Sequence, residues 1–142
     1  MISFETLLKK AATEAGALIK NKFQTHFTID HKDGINNLVT EVDKQSEQLI
    51  RSLISEEFPD HGIVGEEFEV KETKSRYRWV IDPIDGTTNF AHGIPVCCVS
   101  IALLDGDETL VGAVYNPMLN EFFFAKKGGG AFLNDRPISV SA

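Results

Sequence analysis

Cysteine is nearly absent from this chain of 142 residues: there are two, Cys97 and Cys98, adjacent and inside an apolar run. Neighbouring cysteines in such a setting frame neither a disulfide scaffold nor a zinc site. They read as small buried hydrophobes in a reducing compartment. Basic residues are also scarce, 14 lysines and arginines against 21 aspartates and glutamates, for a formal net charge of −7. No basic stripe marks any stretch, which excludes the electrostatic footprint of a nucleic-acid binder. No apolar run is long enough to cross a bilayer, so no membrane partner is expected. The opening residues Met1-Ile2-Ser3-Phe4-Glu5 lead into an amphipathic helix without the apolar centre of a signal peptide, and cytoplasm is the expected compartment. The run Gly128-Gly129-Gly130 lacks the Lys-Ser/Thr and the helix of a phosphate-binding P-loop. There is no internal repeat and no low-complexity tract.

What is present is an ordinary globular composition, 42% hydrophobic and 25% charged, in a length sufficient for one domain with a core. Ser3 reads as an N-cap, and Phe4, Leu7, Leu8, Ala11, Ala12, Ala15, Leu18 and Ile19 recur at helical spacing. Phe23, Phe27 and Ile29 alternate with polar residues and predict a short strand, followed by a polar loop from His31 to Asn37. Thr40 with Asp43 forms a capping-box-like start to a second helix. Its face is Ser46, Leu49, Ile50, Leu53, Ile54 and Phe58, and Pro59 ends it. Ile63-Val64 is a short strand running into Gly65-Glu66-Glu67; a charged loop covers residues 68–76. Val96 to Leu104 predicts a strand buried on both faces. A turn at Asp105-Gly106-Asp107 returns it through Leu110–Tyr115, and Phe122–Ala125, Ala131–Leu133 and Ile138–Val140 complete a series of hairpins. Two helices followed by hairpin-linked strands predict an α+β fold, an antiparallel sheet with two long helices packed on one side.

The chemistry concentrates between Trp79 and Phe90. Tyr77 to Ile81 reads as a strand of aromatic and β-branched residues. Asp82 stands at its end, and Pro83, with no N–H to give a ladder, stops the pairing. Gly86 lets the chain turn close to a ligand, and Thr87 and Thr88 open a short helix whose free N–H groups face the turn. Two carboxylates three residues apart, joined by the Ile84 carbonyl, can converge on a hard cation such as Mg²⁺. The helix start behind them suits an anion, and the two sites side by side are what metal-assisted phosphoryl transfer needs. Taken alone, Asp85 could equally cap a helix, Asp43 complement a helix dipole, and Glu66 and Glu67 be a solvated pair. In an extended segment those two glutamates point opposite ways, so only one reaches a given metal. His92, beside glycine, suits structure better than Mg²⁺.

Trp79-Val80-Ile81-Asp82-Pro83-Ile84-Asp85-Gly86-Thr87-Thr88-Asn89-Phe90 resembles the first signature of the inositol monophosphatase family. Leu38 to Asp43 and Ile63 to Glu67 resemble two further motifs of that family, and the likeness runs from the first helix to the Gly-rich strand near residue 130. The resemblance implies the N-terminal half of an α/β/α/β/α layered sandwich, residues 1–142 being a metal-binding domain without its C-terminal half. It also implies an Mg²⁺-dependent, lithium-sensitive phosphatase using two or three ions in a complete protein. In that mechanism Asp82 bridges two metals, Glu66 and the Ile84 carbonyl complete the first, and Asp85 serves the second. Glu67 acts from behind, holding a water or a loop. Asp43 pairs with Thr87, which orients the attacking water. Glu66, Asp85, Gly86, Thr87 and Thr88 line the substrate, and Lys32 rides a mobile loop that closes over the metals.

The expected reaction is hydrolysis of a phosphate monoester, inositol monophosphate to inositol and phosphate, by a metal-activated water without a phospho-enzyme. The aspartyl-nucleophile signature Asp-x-Asp-x-Thr/Val does not fit Asp82 to Thr87. Thr88 stands where bisphosphate nucleotidases and histidinol-phosphate phosphatases of the superfamily tend to carry a basic residue; these and fructose-1,6-bisphosphatase are the alternatives. The expected partners are a small phosphorylated substrate and a second copy in a homodimer. The family's further metal-binding aspartate, in a Trp-Asp motif, has no match here, Trp79 being the only tryptophan. The chain alone is therefore expected to be weakly active or inactive, and a non-catalytic binding or regulatory module is the reading from another class.

Overall fold

The computed structural model describes residues 2–25 and 34–141. Helix α1 spans Phe4–Thr25, and Ser3 caps it: its Oγ accepts the Thr6 N–H at 3.1 Å, as an N-cap side chain should. Leu7, Leu8, Ala11, Ala12, Ala15, Ile19 and Phe23 form its buried stripe. Phe23 is thus helical, not part of a strand. Ile19 and Phe23 lie four apart on one helix face, and this spacing outweighs the short polar alternation around Phe23. Phe27, Ile29 and His31 to Asp33 lie outside the described residues. Gly16 lets α1 approach the sheet closely, because a Cβ there would stand 2.3 Å from the Tyr115 ring.

Helix α2 spans Gly34–Glu57. It begins six residues before the expected start, so Asp43 sits in its third turn rather than its first. Ile35, Leu38, Val39 and Val42 already recur at helical spacing, and this outweighs the turn-forming Gly34, Asn36 and Asn37. Val42, Ile50 and Ile54 are buried.

Among the described residues seven strands form one sheet whose spatial order is the chain order: β1 Gly62–Val64, β2 Tyr77–Asp85, β3 Cys98–Asp105, β4 Glu108–Asn116, β5 Glu121–Lys126, β6 Gly130–Leu133 and β7 Arg136–Ile138. The expected α+β class holds. Every neighbouring pair is antiparallel except β1 with β2, which run parallel at one edge because the charged loop 65–76 carries the chain back before β2. A five-residue helix, α3 Thr87–Ala91, leaves the end of β2.

Both long helices cover one face, where Val99, Ile101, Leu103, Val111, Ala113 and Phe124 are buried. Full burial of a side chain of this size stabilises by about 1.5–3 kcal/mol. β3 is therefore buried on one face and half-buried on the other, not buried on both, since the helices pack on one side only; Val96 is exposed and precedes the strand. The start of β2 is fixed by Trp79, which is fully buried and donates its indole N–H to His61 Nδ1 at 3.0 Å. His61 in turn stacks on Phe58, ring centres 4.6 Å apart. Among the described residues no helix is long and apolar enough to cross a membrane.

Candidate functional site

The sheet and α2 meet at the end of β2. Asp82 pairs in register with Ser100 and Asp85 with Cys98, while Pro83 and Ile84 between them have no partner. Proline interrupts the ladder, as its missing N–H requires, but pairing resumes at Asp85 instead of stopping. The irregularity matters. Three residues apart in an unbroken strand, Asp82 and Asp85 would face opposite sides of the sheet; a bulge re-aims side chains. Here the Asp85 charge acts directly on Asp82. Gly86 then turns the chain at φ 94°, and a Cβ there would stand 2.8 Å from the Val96 carbonyl oxygen. Thr87, half-buried, and Thr88, exposed, begin α3. Asn89 donates to the Val96 carbonyl oxygen at 2.7 Å and so holds α3 to the chain leading into β3. His92 closes α3, its Nδ1 lying 2.8 Å from the Thr88 carbonyl oxygen, a structural role as expected. Cys98 is half-exposed, with its thiol 4.0 Å from Asp85 Oδ2.

One polar face of α2 serves both acidic segments. Asp43, Ser46 and Glu47 are all buried. The Ser46 hydroxyl donates to the Pro83 carbonyl oxygen at 2.9 Å and so ties α2 to the β2 bulge. Glu47 Oε1 accepts the Glu67 N–H at 2.9 Å and Oε2 the Phe68 N–H at 3.2 Å. Those bonds hold the bend after β1 that carries Glu66, exposed, and Glu67, half-buried. The two glutamates lie in a bend, not an extended strand, and both of their charges reach Asp43. Ser46 and Glu47 escaped recognition as site residues. The signal for Glu47 was there: a carboxylate one turn beyond Asp43, within the buried stripe of Val42, Ile50 and Ile54.

Burial, then the charges of Glu67, Glu66, Asp82 and Glu47, push the Asp43 carboxyl from 3.8 up to about 7. Burial, then Glu66 and Asp85, push Asp82 from 3.8 up to about 6, against an opposing hydrogen bond from the Ile84 backbone. Among the described residues, two buried oxygens, Asp43 Oδ1 and Asp82 Oδ1, find no hydrogen-bond partner. Leaving buried carboxylate oxygens unsatisfied is costly. No hydrogen bond joins Asp43 to Thr87 among the described residues. Nor, among those residues, do three His, Cys, Asp or Glu side chains stand in a ready-made ion cage; the acids are gathered into one neighbourhood without being closed on a point. The donors are all oxygen, and two are orphaned, so a hard cation fits them where a soft metal does not. Lys32 lies outside the described residues. A broad concavity lies elsewhere, on the sheet face away from the helices, beside Ala102, Val114, Phe123 and Ile138.

These raised pKa values fix the sign of a pH effect. The folded, metal-free protein holds protons on Asp43 and Asp82 that the unfolded chain releases, so its stability falls as pH rises from about 4 to about 7. We expect a loss of stability across that window, smaller than the full shifts imply because water screens half-buried Asp82 and the acids titrate together. His61, whose pKa burial lowers, acts in the opposite direction as pH falls. Thermal melts of Asp43→Asn isolate the carboxylate part: the variant should lose most of the slope, and an unchanged slope would show that Asp43 ionises freely. A divalent cation should flatten the wild-type slope.

The inositol monophosphatase family model matches residues 3–142. Over 136 residues the chain is 43% identical to an inositol monophosphatase of Mesembryanthemum crystallinum, covering 93% of this chain and 50% of that protein. A fructose-1,6-bisphosphatase/inositol-1-monophosphatase of Aquifex aeolicus is 42% identical over 134 residues, with 93% and 50% covered. The fold superposes on the solved structure of an inositol monophosphatase from Anabaena (Nostoc) with a TM-score of 0.81 at 38% identity, covering 95% of this chain and 48% of that one. The chain spans about half the length of the curated relatives it matches.

Proposed function

The chain belongs to the inositol monophosphatase family, and from that premise we propose that the full-length protein is an Mg²⁺-dependent phosphatase whose substrate is inositol monophosphate. The observation that carries this reading is the pair of buried oxygens on Asp43 and Asp82 that find no partner among the described residues, set among Glu66, Glu67 and Asp85. Glu66, Asp82 and the Ile84 carbonyl would hold one cation, and Asp82 with Asp85 a second. When bound, the cation supplies charge neutralisation at the phosphate and makes water more acidic.

The chain's own groups do the rest. Asp43, buried beside the proposed cation positions, suits the acceptance of a proton from water. The Thr87 hydroxyl orients that water, and the first N–H groups of α3, at Thr87 and Thr88, receive phosphate oxygens at the Gly86 turn. Glu67 supports Glu66 through the bend they share.

A second substrate, fructose 1,6-bisphosphate, is favoured by the dual name of the Aquifex aeolicus relative. Phosphate release from inositol monophosphate, fructose 1,6-bisphosphate, a 3′,5′-bisphosphate nucleotide and histidinol phosphate, each with and without Mg²⁺, tests the assignment in the full-length protein. Inositol monophosphate should be hydrolysed fastest and only with the metal. Calorimetric Mg²⁺ binding without release from any of the four would make the protein a cation-binding module instead.

A further inference from the structure

The carboxylate that is most deeply buried beside the site is Glu47, and nothing above gives it chemistry to perform. Its side chain is fully shielded from solvent. Both of its oxygens accept backbone N–H groups of the segment carrying Glu66 and Glu67. Oε1 takes the Glu67 N–H and Oε2 the Phe68 N–H. Arg51, one turn further along α2, donates to Oε2 at 2.8 Å and also reaches the Phe68 carbonyl oxygen at 3.3 Å, with its guanidinium over the Phe68 ring at 5.9 Å. Gly65 completes the seat: a Cβ there would stand 2.4–2.5 Å from the Glu47 carboxyl atoms. The glycine thus leaves the room that the Glu47 carboxyl occupies.

A buried carboxylate is stabilised only when paired and hydrogen-bonded, and here each of those partners belongs to the bend or to the clamp around it. The same helix face carries Asp43 four residues earlier and Ser46 adjacent, the latter bonded to the Pro83 carbonyl. From these contacts we infer that Glu47 is a positioning residue: clamped by Arg51 and seated on Gly65, it sets the place of Glu66 and Glu67 relative to Asp82 and so governs how tightly the site holds its cation. The inference rests on the proposed cation site and adds a residue to it. Partners that orient ligands without touching the ion typically contribute 10–100-fold in metal affinity.

The test uses the full-length protein. Glu47→Gln keeps the side chain's shape and removes the charge that receives two N–H groups and Arg51. The Mg²⁺ concentration at half-maximal activity and the calorimetric Mg²⁺ affinity should both worsen by about 10–100-fold, while turnover at saturating Mg²⁺ stays close to wild type. Amide exchange at Glu67 and Phe68 should accelerate. Gly65→Ala removes no carboxylate but drives the Glu47 carboxyl from its seat, and it should show the same Mg²⁺ phenotype; it carries the test if Glu47→Gln does not fold. Arg51→Lys, which keeps the charge and loses the fork, should fall between. A lowered melting temperature with an unmoved Mg²⁺ midpoint in Glu47→Gln and Gly65→Ala would make Glu47 a structural staple and overturn the inference. Asp82→Asn separates the two levels. If it also leaves Mg²⁺ dependence intact, the cation site itself is wrong; if it abolishes binding while the Glu47 and Gly65 variants do not, only the positioning role fails.

Discussion

Asp82→Asn is expected to lower Mg²⁺-dependent phosphate release by the full-length protein by about a thousandfold or more, without weakening its fold. The size follows from what is lost. Metal charge at a phosphoryl group is worth several kcal/mol in the transition state, and each ~1.4 kcal/mol is a decade in rate. Asp82 is the carboxylate that both proposed cations would share. The folding side runs the other way. Asp82 is pushed up to about 6 by burial and by Glu66 and Asp85, so at pH 8 the metal-free protein holds an unfavourable charge there, and asparagine removes it. The variant should melt no lower than wild type at pH 8 while activity is gone. Activity within tenfold of wild type would sink the cation assignment, and a collapse in melting temperature would show that Asp82 is structural.

Thr87→Ala should be nearly as damaging, through a different step. Thr87 is the first residue of α3, directly after the Gly86 turn, and its hydroxyl is free of a side-chain partner in Asp43. Removing it leaves Glu66, Asp82, Asp85 and the Ile84 carbonyl untouched, so cation affinity should barely change. Orientation of an attacking group together with its proton transfer is typically worth ~10²–10⁴-fold, and turnover should fall within that range with KM little altered. If calorimetry instead finds Mg²⁺ binding lost, Thr87 holds the turn together and the role given to its hydroxyl is wrong.

Local signals were legible in the sequence where their causes are local. Pro83 cannot donate to a ladder, Gly86 adopts a positive φ, and Ser3 caps α1; each works through its own backbone and was read correctly or nearly so. The error at Pro83 was one of degree, since a bulge let β2 resume at Asp85. The start of α2 was misread because Gly34, Asn36 and Asn37 are turn formers that packing of a 24-residue helix overrides. Phe23 was misread because three alternating residues imitate a strand when the preceding helix is ignored. Glu47 could be suspected from its place within a buried stripe, but what it holds, like the partner of Ser46, was not legible. The partners of Ser46 and Glu47 lie 37 and 20 residues away in the chain, and no periodicity within α2 announces which distant backbone a buried hydroxyl or carboxylate will meet. The pairing of Asp43 with Thr87 came only from the family resemblance; no hydrogen bond joins the two among the described residues, where Asp43 Oδ1 finds no partner.

The strands of the sheet lie side by side in the order in which they leave the ribosome. Its hairpins close over short loops, so most of the sheet has low contact order and should form early in folding. The acidic segments are different: they come together only when α2 docks, through Ser46 to Pro83 and Glu47 to Glu67, each closing a much longer stretch of chain. Those contacts belong on the native side of the folding barrier, so Ser46→Ala should hasten unfolding and leave refolding nearly unchanged in a chevron experiment. The hairpin frame would then exist before the site does, and a cation that binds only the finished site would act as a brake on unfolding rather than as a nucleus for folding.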